Sequence, residues 1–342
     1  MDYQRPALLV TGGAGFIGSN FIVYYMKKYP DKQIINLDNL TYAGDTANLE
    51  EVEHHPNYHF IQGDIADEDA VTSIFSTYNI EGVINFAAES HVDRSIEDAK
   101  QFVTSNVLGT LVLLQAAKLD WEKRGELGNR RFHHISTDEV YGDLGETGKF
   151  HEATPYDPQN PYSASKAGAN LLVKSFGYTY GMNIVLSSSS NNYGPKQHTE
   201  KLIPTIITRA LHNQTIPIYG DGENIRDWLY VEDHCRALDT IYHHGKAMEM
   251  YNVGGGNEIT NIDIAKEICR ILDIWKPEMA DTVPAHFEEL IAFTEDRKGH
   301  DRRYAVDDTK IRNELEWKPL TAWDTGIQNT VKWYIEQWKT NN

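Results

Sequence analysis

Over the first 190 residues, short apolar runs recur, each followed by a helix-length segment. The runs occupy 7–10, 34–37, 58–61, 82–86, 132–135 and 183–186, and the helical pieces between them include 16–28, 67–78, 101–118 and 162–180. Runs that are apolar on both faces and alternate with helices predict a parallel sheet covered on both sides. The expected fold class is therefore α/β, a doubly wound parallel sheet over residues 1–190. Beyond 190 the texture changes, with Pro195, Pro204, Pro217, Gly220, Gly222, Pro284, Gly299 and Pro319 punctuating shorter pieces. This stretch, 191–342, is expected to form a smaller C-terminal α/β substrate-binding region whose elements interleave with the first.

The chain has 342 residues, room for two domains or one large one. Its 32 Lys and Arg against 50 Asp and Glu give a net charge of −18, which argues against nucleic acid as a partner. No uninterrupted apolar stretch has membrane-spanning length, and the start has no secretory layout, so no membrane partner is expected. Cys235 and Cys269 cannot make a disulfide framework, which fits a reducing, cytoplasmic location.

The first run ends in Thr11-Gly12-Gly13-Ala14-Gly15-Phe16-Ile17-Gly18, between a strand and a helix. Gly12, Gly15 and Gly18 suit a tight turn that brings backbone N–H groups to a pyrophosphate. Asp38 ends the second run, about 20 residues on, where a carboxylate favours NAD over NADP. Asp64 and Ile65 follow the third run. They stand equally for adenine contacts or for the cap of the helix from 67.

Tyr162 and Lys166 share a face at i, i+4 behind Pro161, a favourable first helical residue. A cation ~5 Å from the phenol, at an effective dielectric of ~20, is worth roughly 3 kcal/mol and would lower its pKa by about 2. Tyr162 is then expected to serve in proton transfer. Asp138 and Glu139 follow the run at 132–135. Consecutive strand residues face opposite ways, so both reach one site only if the strand ends there. Two carboxylates a residue apart can be set to different pKa values, one acid and one base.

The glycine pattern with Tyr162-x-x-x-Lys166 resembles the extended short-chain dehydrogenase/reductase superfamily, with its Rossmann-type fold. The segments 38–44, 87–95, 136–142, 191–195, 226–234 and 296–304 resemble, more narrowly, the dTDP-glucose 4,6-dehydratase family. Thr137-Asp138-Glu139 is the discriminating element. The resemblance implies conversion of dTDP-glucose to dTDP-4-keto-6-deoxyglucose with retained NAD. It implies Tyr162 as the base for the C4 hydroxyl, Thr137 on the C4 oxygen, Glu139 as the C5 base, Asp138 as the C6 acid, and Lys166 beside Tyr162 and the cofactor ribose.

The implied cofactor contacts also include Phe16, Ile17, Asp38, Asn39, Leu40, Thr41, Asp64, Ile65, Ala87, Ala88, Glu89, Ser90, His91, Thr104 and Asn192. The implied nucleotide-sugar contacts are His91, Thr137, Asn191, Lys201, Leu202, Pro217, Ile218, Tyr219, Arg226, Asn261, Asp296, Arg297, Lys298, Gly299 and His300. Lys201, Arg226 and Arg297 would give a diphosphate the local positive charge that the acidic whole lacks. Two departures from the family pattern are Ser188-Ser189, where the family has Arg-Cys, and Lys298, where it has Pro. The helix after Tyr162 and the 103–118 segment have apolar faces to spare, and the family implies a homodimer there.

His54-His55, His133-His134 and His243-His244 lack metal-ligand spacing, and no metal is expected. The competing functions are a 4,6-dehydratase of UDP- or CDP-glucose, a nucleotide-sugar 4-epimerase, and a non-catalytic NAD- or nucleotide-sugar-binding regulator. An epimerase needs no acid–base pair after Thr137.

Overall fold

A computed structural model describes residues 5–275, 284–296 and 301–341. Its strands are β1 (Pro6–Thr11), β2 (Gln33–Asp38), β3 (Tyr58–Gln62), β4 (Asn79–Asn85), β5 (Arg131–Thr137), β6 (Asn183–Ser189), β7 (Asn191–Tyr193), β8 (Ile216–Tyr219), β9 (Ile225–Tyr230), β10 (Met250–Val253), β11 (Glu258–Thr260) and β12 (Ile291–Thr294). Its helices are α1 (Phe16–Lys28), α2 (Glu68–Thr77), α3 (Val92–Glu97), α4 (Ala99–Phe102), α5 (Thr110–Arg124), α6 (Pro161–Tyr180), α7 (Leu202–Leu211), α8 (Val231–His244), α9 (Asn261–Trp275), α10 (Thr309–Leu315) and α11 (Trp323–Asn341).

Seven parallel strands run in the order β10-β6-β5-β4-β1-β2-β3. The sheet is doubly wound, as its buried apolar runs predict. One face packs with α2, α5 and α6 through Val83, Leu113, Leu114, Trp121 and Val173. The other packs with α1 and α8 through Leu8, Phe21, Ile22, Ile84 and Leu238. Strand order reverses between β1 and β4, and the crevice above such a switch is where these sheets bind ligands. β10 and α8 return to this sheet from beyond residue 191.

The remaining chain builds a β11-β9-β7 sheet and a β12-β8 pair. Ile206, Ile207, Ile264, Ile268, Phe287 and Val331 form its core with α7, α9 and α11. β7 follows β6 after one residue and pairs with β9, so the two halves join directly beside the end of β5.

A π-helical turn, Val103–Gly109, joins α4 to α5. The stretch Ala99–Arg124 has the length and hydropathy to cross a membrane, but Val112, Leu113, Ala117 and Trp121 are buried in the core here.

Candidate active site

Two clefts of about 320 and 500 Å³ meet at the C-terminal ends of the central strands. The first is lined by Gly12, Gly15, Phe16, Ile17, Gly18, Asp38, Asn39, Thr41, Asp64, Ile65, Ala87, Ala88, Glu89, Tyr162 and Lys166. The second is lined by His91, Leu202, Pro217, Ile218, Tyr219, Arg226 and Asn261. Ser90, Glu139, Asn191, Asn192 and Lys201 line both, so the expected cofactor and sugar contacts converge on one junction.

The first cleft fits a dinucleotide. Gly12 turns at φ 68°, and a Cβ there would lie 2.6 Å from the backbone nitrogen of Ala87. Gly15 caps α1 with no side-chain hydrogen bond, and no acid sits in the first turn. The N–H groups of that turn are therefore available to an anion. Asp38 accepts from the backbone N–H groups of Ala14 and Leu40, at 2.8 Å each. Burial raises its pKa and these two donors oppose the rise. Asp64 lines the cleft, holding Asn39 Nδ2 at 3.0 Å, and Asp67 caps α2 instead.

Three expected contacts fall outside both linings. Leu40 turns its side chain onto the core under α1. Ser105, in the π-helical turn Val103–Gly109, lines the cofactor cleft in place of Thr104. Asp296 instead approaches Gly220, where a Cβ would lie 2.9 Å from its carboxylate. Arg297, Lys298, Gly299 and His300 lie outside the described residues. Asn192 turns its amide inward, donating to Ser189 Oγ at 3.1 Å and to the Ser190 carbonyl at 3.0 Å.

β5 ends at Thr137, and a tight 3₁₀ turn, Asp138–Tyr141, follows. The turn breaks the strand alternation and lets both carboxylates reach one site. Thr137 Oγ1 accepts from the Glu139 N–H at 3.3 Å and donates to Asp138 Oδ1 at 3.3 Å. Asp138 is 3% exposed, and burial, Glu139 and Asp227 push its pKa well above the carboxylate range. Burial also raises the Glu139 pKa, but Lys201, Arg226 and Asn160 oppose the rise. The environment thus favours a protonated Asp138 beside a more readily ionised Glu139.

α6 begins at Pro161 under a reciprocal cap between Asn160 and Ser163. This places Tyr162 and Lys166 on the buried face, but the charge relation differs from the expectation. Lys166 Nζ donates to the carbonyl of Ile135 at 2.7 Å, and burial lowers its pKa to about 8. The Tyr162 pKa is raised, by burial first and then by Glu139, and a hydrogen bond with Thr137 opposes the rise. Desolvation of the phenol dominates, and Thr137 is its favourable partner.

Glu200 and Tyr304 are site residues that the sequence reading missed. Glu200 stands 3.8 Å from both His91 Nε2 and His198 Nδ1 where the clefts meet. Its signal was adjacency to Lys201, whose ammonium donates to the Ser90 carbonyl at 2.9 Å. Tyr304 lies 4.4 Å beneath the Arg226 guanidinium, which donates to the Asp301 carbonyl at 2.8 Å. Tyr304 closes the 296–304 segment already singled out.

Residues 9–330 match the family model described as GDP-mannose 4,6 dehydratase. The dTDP-glucose 4,6-dehydratase of Neisseria gonorrhoeae is 49% identical over 97% of this chain and 96% of its own length. That of Escherichia coli is 46% identical over 96% and 93%. The Streptomyces venezuelae dTDP-glucose 4,6-dehydratase, solved with NAD bound, superposes at TM-score 0.88 with 41% identity, covering 98% of each chain. A UDP-glucose 4-epimerase of Thermotoga maritima superposes at 0.83 with 28% identity over 97% of this chain and 99% of that one. On full-length identity with the first group, this chain belongs to the dTDP-glucose 4,6-dehydratase family.

Proposed function

We propose that the chain is an NAD-dependent dTDP-glucose 4,6-dehydratase, which converts dTDP-glucose to dTDP-4-keto-6-deoxyglucose and water. The observation that carries this reading is the pair Asp138 and Glu139 at the end of β5, beside Tyr162, where the two clefts meet. Bound NAD supplies the hydride acceptor for C4 and the donor that later reduces C6.

Tyr162 takes the C4 hydroxyl proton, and Thr137, hydrogen-bonded to it, holds the C4 oxygen. The C4 ketone acidifies the proton at C5, which Glu139 removes. Asp138, held protonated by its burial, gives its proton to the departing C6 hydroxyl, and water leaves. Glu139 returns a proton to C5 as C6 is reduced. Lys166 is fixed on Ile135, where it borders the cofactor cleft and orients the Tyr162 face of α6. Lys201 and Arg226 supply positive charge to the diphosphate from the second cleft.

We assign the cofactor chiefly to residues 1–190, whose sheet β10 and α8 complete, and the sugar nucleotide chiefly to 191–342. Leu119 and Leu171, 66% and 59% exposed, support a homodimer across α5 and α6. Free, buried Cys235 and Cys269 support a cytoplasmic location. The fold is shared with 4-epimerases, and the carboxylate pair favours the dehydratase. The test is incubation with dTDP-, UDP- and CDP-glucose and assay of the 4-keto product. Formation from dTDP-glucose at the highest kcat/KM is expected, and C4 epimers without a 4-keto product would overturn the reading.

A further inference from the structure

The segment after β2 reaches the far side of the cofactor cleft. Leu40 takes a left-handed backbone at φ 53°, anchored by its N–H on Asp38 at 2.8 Å. The Gly44 N–H donates to the Thr41 carbonyl at 3.1 Å and closes a turn with Tyr42 and Ala43 at its tip. Thr41, Ala43 and Gly44 line the cleft.

The Tyr42 ring contacts two other loops. The Arg94 guanidinium, at the start of α3, lies 3.6 Å from the ring centroid. His198, which lines the cleft from the segment after β7, meets the ring edge-on at 5.7 Å. Chain segments that follow β2, β4 and β7 thus converge on one aromatic ring. A second tie runs parallel to the first. Lys196 Nζ donates to the Asn48 carbonyl at 2.8 Å, and Asn20 Nδ2 donates to the Pro195 carbonyl at 3.0 Å. Burial, Glu200 and Glu89 push the Tyr42 phenol up, so the ring meets Arg94 as a neutral face.

We infer that Tyr42, gripped between Arg94 and His198, is a clasp that ties together the three segments around the cofactor cleft and sets how long NAD stays bound. The inference rests on the reading that this cleft takes NAD. Release of a dinucleotide needs these lining segments to part, so the strength of the ring contacts enters the dissociation rate. The reaction needs such a device, because the cofactor that oxidises C4 must still be present to reduce C6. Loss of the cation–ring contact is expected to raise the dissociation rate about 10-fold.

The experiment loads the protein with labelled NAD, chases with excess unlabelled NAD and follows the label retained. Tyr42→Ala should release label about 10-fold faster than the parent, while Arg94→Met and Tyr42→Phe, which loses only the hydroxyl's bond with Ser90, should fall between. Release by Tyr42→Ala at the parent rate would overturn the clasp. So would Tyr42→Phe releasing as fast as Tyr42→Ala, because the hydroxyl and not the ring would then be the hold. If Tyr42→Ala loses its cooperative melt, Arg94→Met carries the test, and parent-like release there overturns the inference. A parent protein that binds no NAD overturns both the inference and the cofactor reading. A parent that holds NAD in the expected order of variants but leaves dTDP-glucose unchanged supports the clasp and refutes only the substrate reading.

Discussion

Lys166 Nζ is hydrogen-bonded to the main-chain carbonyl of Ile135 at 2.7 Å, tying α6 to β5 two residues before Thr137. The bond fixes the helix register that presents Tyr162 to Thr137. Tyr162 is 8% exposed, and its pKa lies above that of a free phenol. The hydrogen bond with Thr137 opposes that rise and so favours the phenolate that accepts the C4 proton.

Tyr162→Phe keeps the ring and removes the proton acceptor. Turnover should fall about 10²–10⁴-fold, the usual worth of positioned acid–base help. Substrate binding by calorimetry should persist. Normal formation of reduced nicotinamide on mixing with dTDP-glucose would show that the oxidising group lies elsewhere.

Asp38 holds two backbone N–H groups, one buried and one partly buried, and borders the cleft where a ribose hydroxyl is expected. The parent should prefer NAD to NADP, and Asp38→Ala should narrow the preference. The freed N–H groups should also cost about 1–3 kcal/mol of stability, read from denaturant melts. Equal affinity of the parent for both cofactors would refute the assignment.

His133 and His234 are fully buried, and burial lowers both pKa values to about 3, with Arg131 adding to the shift at His133. An unfolded histidine takes up a proton near the ordinary 6.5, well before the folded one does. Stability is therefore full above that value and is lost as pH falls toward the folded pKa, by several kcal/mol in order of magnitude. His234 donates through Nδ1 to Asn192 at 2.9 Å. His234→Asn keeps a donor near that place without the titrating ring. Its urea midpoint should fall less between about pH 7 and about pH 4 than that of the parent. Parallel curves would count against the buried histidines as the source of acid lability.

The sheet was legible because strands buried on both faces need near-continuous apolar residues, and 34–37 or 183–186 cannot be read otherwise. The glycine turn and the Thr137-Asp138-Glu139 triplet were legible because each is contiguous in the chain. What escaped depends on chain segments that meet only in space. Tyr304 reaches the site because Arg303 bridges Ile225 and Val306 bridges Phe150, pairings that leave no periodic mark. Ser105 rather than Thr104 lines the cleft from a π-helical turn inside an apolar helix, where the spacing of apolar residues looks uninterrupted. The direction of Lys166 was set by the carbonyl at the end of a different strand. Helix spacing placed it beside Tyr162 and could not say which partner it would choose.

The carboxylate pair offers the sharpest separation of dehydratase from epimerase. Asp138 is the more buried of the two and feels Glu139 and Asp227 more than Arg226, whereas Glu139 faces Lys201 and Arg226. Asp138→Asn removes the acid and leaves C4 oxidation and C5 proton loss intact. Hydroxide is a poor leaving group, so elimination should slow by about 10²–10⁴-fold and become limiting. Reduced nicotinamide should accumulate after mixing with dTDP-glucose, and solvent deuterium should still enter C5 of the bound keto-sugar. Glu139→Gln should also accumulate reduced nicotinamide, but with almost no deuterium at C5. Reversed isotope patterns would exchange the two roles. Normal turnover by both variants would leave the pair without a part in the chemistry, and the epimerase reading would then be the better account of the same fold.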